Sequence, residues 1–162
     1  MKKEDKTNVM RLLDQKKIEY KAYKHDLDAG VSGEEVAKAM GQDPNRTFKT
    51  LVTIGHSKNH YVFVVPVNKG LHLKKAAKAV GEKKIEMVKS KELLALTGYV
   101  HGGCSPIGMK KFFQTTIDES ASSYETIFFS AGKVGRQVEV SLEGLSKIIK
   151  YELGDITEEL KE

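Results

Sequence analysis

Cysteine is almost missing from this sequence: Cys104 is the single one among 162 residues. One thiol excludes an intramolecular disulfide and any thiolate-held zinc or iron–sulfur cluster within one chain. Proline is also scarce, and Pro44, Pro66 and Pro106 are scattered, so nothing marks a domain boundary. There is no internal repeat and no low-complexity stretch. No apolar run approaches the ~20 residues that span a bilayer. The opening MKKEDKTNVMRLLDQKK lacks the apolar core of about 7–15 residues found in a secretory signal. The metalloprotease HExxH, the hydrolase GxSxG and the phosphate-loop GxxxxGK patterns are all absent. Five histidines, His25, His56, His60, His72 and His101, share no metal-ligand spacing. These absences leave a soluble, cytoplasmic single domain over residues 1–162, with no metal and no cofactor expected.

What is present in quantity is lysine. The 40% hydrophobic content suffices for a core, and 27 basic residues stand against 22 acidic ones. The excess is regional: residues 69–111 hold ten lysines against Glu82, Glu86 and Glu92, whereas residues 112–162 are net acidic. A basic region of this kind suits one face meeting a polyanion such as RNA, although lysine-rich solvated faces are common. With only three arginines, the pattern favours diffuse phosphate attraction over planar bidentate readout.

Apolar spacing after Thr7 predicts a helix near residues 8–16, and Ser32-Gly33-Glu34-Glu35 predicts a capped helix over 33–40 stopped by Gly41. FKTLVTIGH and HYVFVVPV flank Ser57-Lys58-Asn59 and read as a β-hairpin. Leu73, Ala76, Ala77 and Val80 mark a helix closed by Gly81, and KKIEMVK alternates like a strand. Ser90 is the expected cap of a helix running to Gly98. QTTI, ETIFFS and QVEVS read as strands, followed by a helix around Leu145, Ile148 and Ile149. Strands and helices are interleaved, which predicts an α/β (α+β) domain with a mixed, largely antiparallel sheet and flanking helices.

The segment from Gly98 to Gly108 holds four glycines and a proline in eleven residues. Its backbone N–H groups can turn toward an anion or a developing oxyanion, or it is a connecting loop with tight turns. Cys104 within it is either a nucleophile or, as lone cysteines more often are, a small packing residue. Lys49 alternates in face with Phe48 and Thr50, so it projects into a cleft or into solvent. Ser130-Ala131-Gly132-Lys133-Val134-Gly135 is a small turn after the apolar run Ile127-Phe128-Phe129, a position that suits ligand contacts or a plain hairpin.

Four pieces in this order, DPNRTFKTL (43–51), LKKAAKAVGEKKIEMV (73–88), TGYVHGGCSPIGMKK (97–111) and ETIFFSAGKVG (125–135), resemble the YbaK/EbsC family, free-standing relatives of the prolyl-tRNA synthetase editing domain. The resemblance implies a compact domain whose sheet curls around an editing pocket. It further implies hydrolytic release of cysteine from mischarged Cys-tRNA(Pro), with the aminoacylated 3′ end of tRNA as partner and prolyl-tRNA synthetase beside it. Carried over by matching motif, Lys49 is the family's essential lysine, followed by Thr50, with Arg46 just ahead of the same strand. The GGxSP loop falls on Gly102, Gly103, Ser105 and Pro106. The serine before the glycine–lysine turn falls on Ser130, with Gly132 and Lys133 behind it, and the tyrosine near the pocket mouth falls on Tyr23. Val134 stands where relatives often have arginine, and Gln137 where they have a polar or acidic group. In the implied mechanism the substrate's own thiol attacks its ester, so Gly102, Gly103 and Lys49 are the expected catalytic set, with Tyr23, Arg46, Thr50, Ser105, Ser130, Gly132 and Lys133 binding substrate. A deacylase for another mischarged tRNA (alanyl or seryl) and a non-catalytic tRNA-binding or regulatory module are the alternatives.

Overall fold

Local signals placed the helices. The structure is a computed structural model that describes residues 6–160, so the two extremities of the expected 1–162 domain lie outside the described residues. Helix α1 (Asn8–Gln15) starts where the Thr7 hydroxyl oxygen accepts the Met10 N–H at 3.2 Å. Helix α2 (Gly33–Ala39) opens with the reciprocal box: Ser32 Oγ accepts from Glu35 N, and the Glu35 carboxylate accepts from Ser32 N. Helix α3 (Leu73–Val80) ends on Gly81, at φ 75° in the left-handed region. Helix α4 (Ser90–Thr97) corrects one expectation. Lys89, extended at ψ 145°, is its cap, and its N–H is taken by the Glu92 carboxylate at 3.2 Å, so Ser90 is already helical. The last helix, α5 (Leu142–Ser146), lies earlier and is shorter than expected, capped by the Ser141 hydroxyl.

The strands divide into three hydrogen-bonded groups. The five-stranded sheet has the order β5 (Ile85–Met87), β2 (Phe48–Gly55), β3 (His60–Pro66), β6 (Gln114–Asp118), β9 (Glu152–Gly154). Its β2–β3 hairpin pairs Phe48 with Pro66 through to Ile54 with His60, while β6 joins β3 in parallel and β9 joins β6 in parallel. A three-stranded antiparallel sheet runs β1 (Lys21–Lys24), β8 (Arg136–Val140), β7 (Ile127–Ser130). The ribbon of β4 (Lys69–Leu71) and β10 (Thr157–Glu159) is separate. A single parallel bridge, Thr47 to Phe128, ties the three-stranded sheet to the start of β2. The result is the expected mixed α+β architecture. Among the described residues no helix is long and apolar enough to cross a membrane.

Alternation along β3 sends Val62 and Val64 to one face and Tyr61, Phe63 and Val65 to the other. The first pair packs with Val9, Leu13, Phe129, Val138 and Leu145 in the larger core; the second set packs with Ala76, Ala77 and Ile85 under α3. Phe63 is fully buried and central to the second core. Phe63→Ala is expected to cost about 3–5 kcal/mol, read as a lowered urea midpoint with an unchanged m-value.

Candidate functional site

β2 has unequal partners along its length. On one side β3 pairs with all of it. On the other, β5 pairs only with Thr53–Gly55, the Val88 N–H reaches the Val52 carbonyl at 3.1 Å, and the three-stranded sheet is joined by an isolated bridge at Thr47. Residues 48–51 are therefore an open edge between the two sheets. The Val52 carbonyl points to the β5 side, so strand alternation turns the Thr50 N–H and C=O to that same open side. The Thr50 hydroxyl is buried as well, with no hydrogen-bond partner among the described residues. Orphaned buried hydroxyls are uncommon and call for an explanation.

A cleft of about 360 Å³ occupies this gap, a volume within the ~300–1,000 Å³ usual for small-ligand sites. Its walls are the loop and first turn of α2 (Asp28–Gly33, Val36), the start of β2 (Thr47–Leu51), the glycine loop (His101, Gly102, Cys104) and the β7–β8 hairpin (Ser130, Val134–Gln137), with Val67 and Leu93 adding apolar surface. Because the edge of β2 is exposed to the cleft, side chains from both of its faces, Lys49 and Thr50, line it. Burial holds the Lys49 ammonium below the ordinary lysine value of 10.5, and Glu34 pulls it back up. Lys49 forms no ion pair among the described residues.

Of the residues singled out from the sequence, Lys49, Thr50, Gly102 and Ser130 line the cleft together. Ser130 Oγ accepts the Gly132 N–H at 3.1 Å, which leaves its hydroxyl proton to donate. Gly132 and Lys133 form the hairpin turn just outside the lining. Gly103 lies one layer back. Its N–H goes to the Val100 carbonyl at 3.0 Å, and a Cβ there would stand 3.0 Å from the Val134 nitrogen, so it lets the two loops pack backbone to backbone. Gly102, at φ 88°, gives its N–H to no backbone carbonyl among the described residues and lines the cleft. Ser105 is fully buried away from the cleft, its Oγ accepting the Ile107 N–H at 3.3 Å. Tyr23 and Arg46 sit further along the sheet face that carries Ser130 and Gln137. The Tyr23 hydroxyl donates to Glu139 at 2.6 Å, and Arg46 pairs with Glu139 at 3.3 Å while lying over the Phe128 ring. They brace the wall and do not line it.

Sequence reasoning passed over the 28–33 loop and Gln137 as lining. The Gln137 amide oxygen accepts from Gln42 Nε2 at 2.8 Å, which fixes the orientation of its amide beside the cleft. Its register opposite Ser130 was the available signal. The Cys104 thiol also lines the cleft, but burial pushes it up to about 12, against a weaker opposing hydrogen bond from Thr97. A neutral thiol is a poor nucleophile. Among the described residues no group of three or more His, Cys, Asp or Glu side chains could hold a metal ion.

A family model of the aminoacyl-tRNA editing domain matches residues 29–148, a stretch that contains every lining residue except His25 and Asp28. A relative named as the proposed Cys-tRNA(Pro)/Cys-tRNA(Cys) deacylase EbsC of Enterococcus faecalis is 46% identical over 157 residues, covering 96% of each chain. The solved structure of hypothetical protein APE2540 superposes with a TM-score of 0.84 at 19% identity, over 94% of this chain and 100% of that one. That of a proposed trans-editing enzyme for prolyl tRNA synthetase gives 0.79 at 22% identity, over 94% and 98%. These two structures share the fold.

Two outcomes follow from the electrostatics. Lys49 binds its proton more weakly in the fold than in the unfolded chain, so its burial is a penalty in full force below the folded pKa. That penalty is relieved as pH rises from there toward 10.5. Lys49→Met is therefore expected to raise the urea midpoint at pH 7, with the gain shrinking at alkaline pH. For Cys104, a pKa of about 12 leaves roughly one thiolate in ten thousand at pH 8. Iodoacetamide at pH 8 is expected to leave the folded protein unlabelled and to label it at once in denaturant.

Proposed function

The chain belongs to the aminoacyl-tRNA editing domain family, and from that premise we propose that it is a trans-editing deacylase that frees tRNA(Pro) mischarged with cysteine. The observation that carries this reading is the polar station at Thr50. An orphaned hydroxyl, a backbone N–H and a backbone C=O meet there on the open edge of β2, beside a cation and without an ionised nucleophile. Such a set can hold and polarise an ester, but it cannot attack one.

Each group has a part in that chemistry. Lys49 places its ammonium against the terminal phosphate or ribose of the RNA. The Thr50 carbonyl and hydroxyl receive the α-ammonium of the amino acid, and the Gly102 N–H and Ser130 hydroxyl aim at the ester oxygen where negative charge develops. The apolar patch of Val31, Val36, Val67 and Leu93 accommodates a small side chain folded back on its own ester. The attacking sulfur is the substrate's. The bond from sulfur to the carbonyl carbon forms as the ester C–O bond breaks, and the ribose hydroxyl leaves with the proton given up by the thiol. The cyclic thiolactone then opens in water to cysteine. Holding thiol and carbonyl in contact makes this step effectively unimolecular, which is the largest contribution a site without a nucleophile can make. The reading places prolyl-tRNA synthetase alongside, as the enzyme that makes the mischarged substrate, in the cytoplasm.

The test is single-turnover deacylation of Cys-tRNA(Pro) and Ala-tRNA(Pro). Fast release of cysteine with little release of alanine is expected. Loss of about 100-fold or more is expected for Lys49→Ala, and about tenfold for Thr50→Val, with Cys104→Ala close to wild type. Retained activity in Lys49→Ala together with loss in Cys104→Ala would sink the mechanism. Equal release of both amino acids would show that water is the nucleophile.

A further inference from the structure

The basic segment 69–111 is not uniformly available. Lys69, Lys75 and Lys84 are paired with Glu159, Asp155 and Glu86, while Lys74, Lys78 and Lys83 lie on or just after α3, which contributes nothing to the cleft. Lys89, Lys91, Lys110 and Lys111 differ from both groups. All four are exposed, and none forms an ion pair among the described residues. They gather around α4 and the glycine loop. Helical spacing puts Lys91, Leu94, Ala95 and Gly98 on one stripe, and every one of them is exposed. The opposite face carries Leu93, which lines the cleft, and Thr97, which is buried. Lys110 closes the stripe: its N–H bonds the Thr97 carbonyl at 3.0 Å, and its side chain lies over Gly98. From there the chain runs in one direction to His101 and Gly102 at the cleft and in the other to Lys111 and Phe112.

Three large apolar side chains in these same segments are left bare: Leu94 at 54% exposure, Val100 at 51% and Phe112 at 53%. Phe113, the neighbour of Phe112, is turned inward against His60, so the outward setting of Phe112 follows from strand alternation at the edge of β6. A solvated phenylalanine directly after two free lysines offers a base a face to stack on while the lysines meet the backbone. Glu92 is the one carboxylate on α4, and it is turned back to cap Lys89.

We propose that the α4 stripe and the 110–112 edge form a docking surface for RNA backbone, on which the acceptor arm lies while its 3′ end enters the cleft past His101 and Gly102. This rests on the deacylase reading only for the identity of what enters the cleft. The occupant is RNA and not protein, because the exposed apolar groups are separate and interleaved with unpaired cations. A protein-docking face would instead present a continuous apolar core with few lysines. The contacts are to phosphate and to one base face, so they give affinity and orientation without sequence readout.

The experiment uses the full chain with Lys110→Glu and Lys111→Glu combined, and Phe112→Leu separately. Three probes are applied: uncharged tRNA by fluorescence anisotropy across a salt series, Cys-tRNA(Pro), and the cysteinyl ester of adenosine, which has no RNA body. The charge reversal is expected to weaken tRNA binding at least about tenfold and to lower the log–log salt slope by about two. On Cys-tRNA(Pro) it is expected to raise KM with kcat unchanged, and it should leave hydrolysis of cysteinyl-adenosine at the wild-type rate, which also shows the variant is folded. Phe112→Leu is expected to weaken tRNA binding about fivefold with the salt slope unchanged. Wild-type affinity and slope in the charge-reversed variant would overturn the proposal, as would an equal loss on cysteinyl-adenosine. Unaltered tRNA binding with lost affinity for prolyl-tRNA synthetase would assign the surface to protein instead. If wild type cleaved neither ester, the deacylase reading would fall, and the anisotropy comparison would still decide the surface.

Discussion

The site depends on a hydrogen-bonding shortfall. A strand at the middle of a sheet normally has both edges used, and an unpaired edge is a row of polar groups that must find water or a ligand. β2 is central near Thr53–Gly55 and becomes an edge over residues 48–51, because β5 is only three residues long and the second sheet is bridged to the chain just before β2, at Thr47. That arrangement creates the cleft and furnishes it. The Thr50 backbone groups and hydroxyl are left over from the ladder, and because the edge itself is exposed, Lys49 and Thr50 both reach the rim of the gap from opposite faces of the strand. In the β2–β5 register Ser90 would stand opposite Thr50, but α4 begins at Ser90, so the ladder stops short of the site.

The other walls have to be held at the distance this edge requires, and they are held by backbone. The glycine loop and the 130–135 turn meet where Gly103 lies against Lys133 and Val134, a contact that any Cβ would force apart. Gly135, at φ 88°, accepts the His25 N–H at 2.8 Å and comes so close to the His25 carbonyl oxygen that a Cβ would stand 2.6 Å from it. That contact pins the end of β1 to the turn. Behind the wall, Tyr23, Arg46 and Thr126 converge on Glu139, joining β1, the entry to β2 and the β7–β8 pair. Glu139 stays ionised there: its hydrogen bonds to Thr126 and Tyr23 and the Arg46 charge outweigh the burial that opposes them. Arg46 and Tyr23 therefore matter to the site through the rigidity of its wall.

These features differ in how readable they are from sequence. Caps and stops are local, so Thr7, Ser32, Gly81 and the hairpin around Lys58 were legible from a few adjacent residues. Ser90 misled because serine is a favoured cap, whereas the helix is capped by the Lys89 N–H meeting Glu92, a contact that the side-chain type at 89 does not announce. β4, β9 and β10 are three residues each with little burial, so their periodicity carries no signal. They exist because a distant partner is in register. The open edge of β2 was illegible for the same reason, since it is defined by where two other strands stop. Lys49 and the glycine loop could be singled out by residue type and by family likeness. The buried, turn-holding role of Ser105, the packing role of Gly103 and the bracing role of Arg46 depend on which atoms face them, which composition does not encode.

The inert state of Cys104 bears on how such a site discriminates. A site that carried its own activated thiolate or hydroxyl would attack any aminoacyl ester that fitted a cleft of about 360 Å³, including a correctly charged one. Size exclusion is a poor guard, because a missing or extra methylene is worth only ~1–3 kcal/mol of discrimination. On the proposed mechanism the site supplies geometry and charge stabilisation but no nucleophile, so an amino acid without a thiol remains bound and intact. Selectivity then resides in the chemistry of the substrate's side chain, and the protein must keep every competing nucleophile protonated or out of reach. Burying Cys104 until its pKa reaches about 12 and turning the Ser105 oxygen toward the Ile107 N–H meet that requirement in one loop. The loop that presents the Gly102 donor also keeps its own two nucleophiles silent.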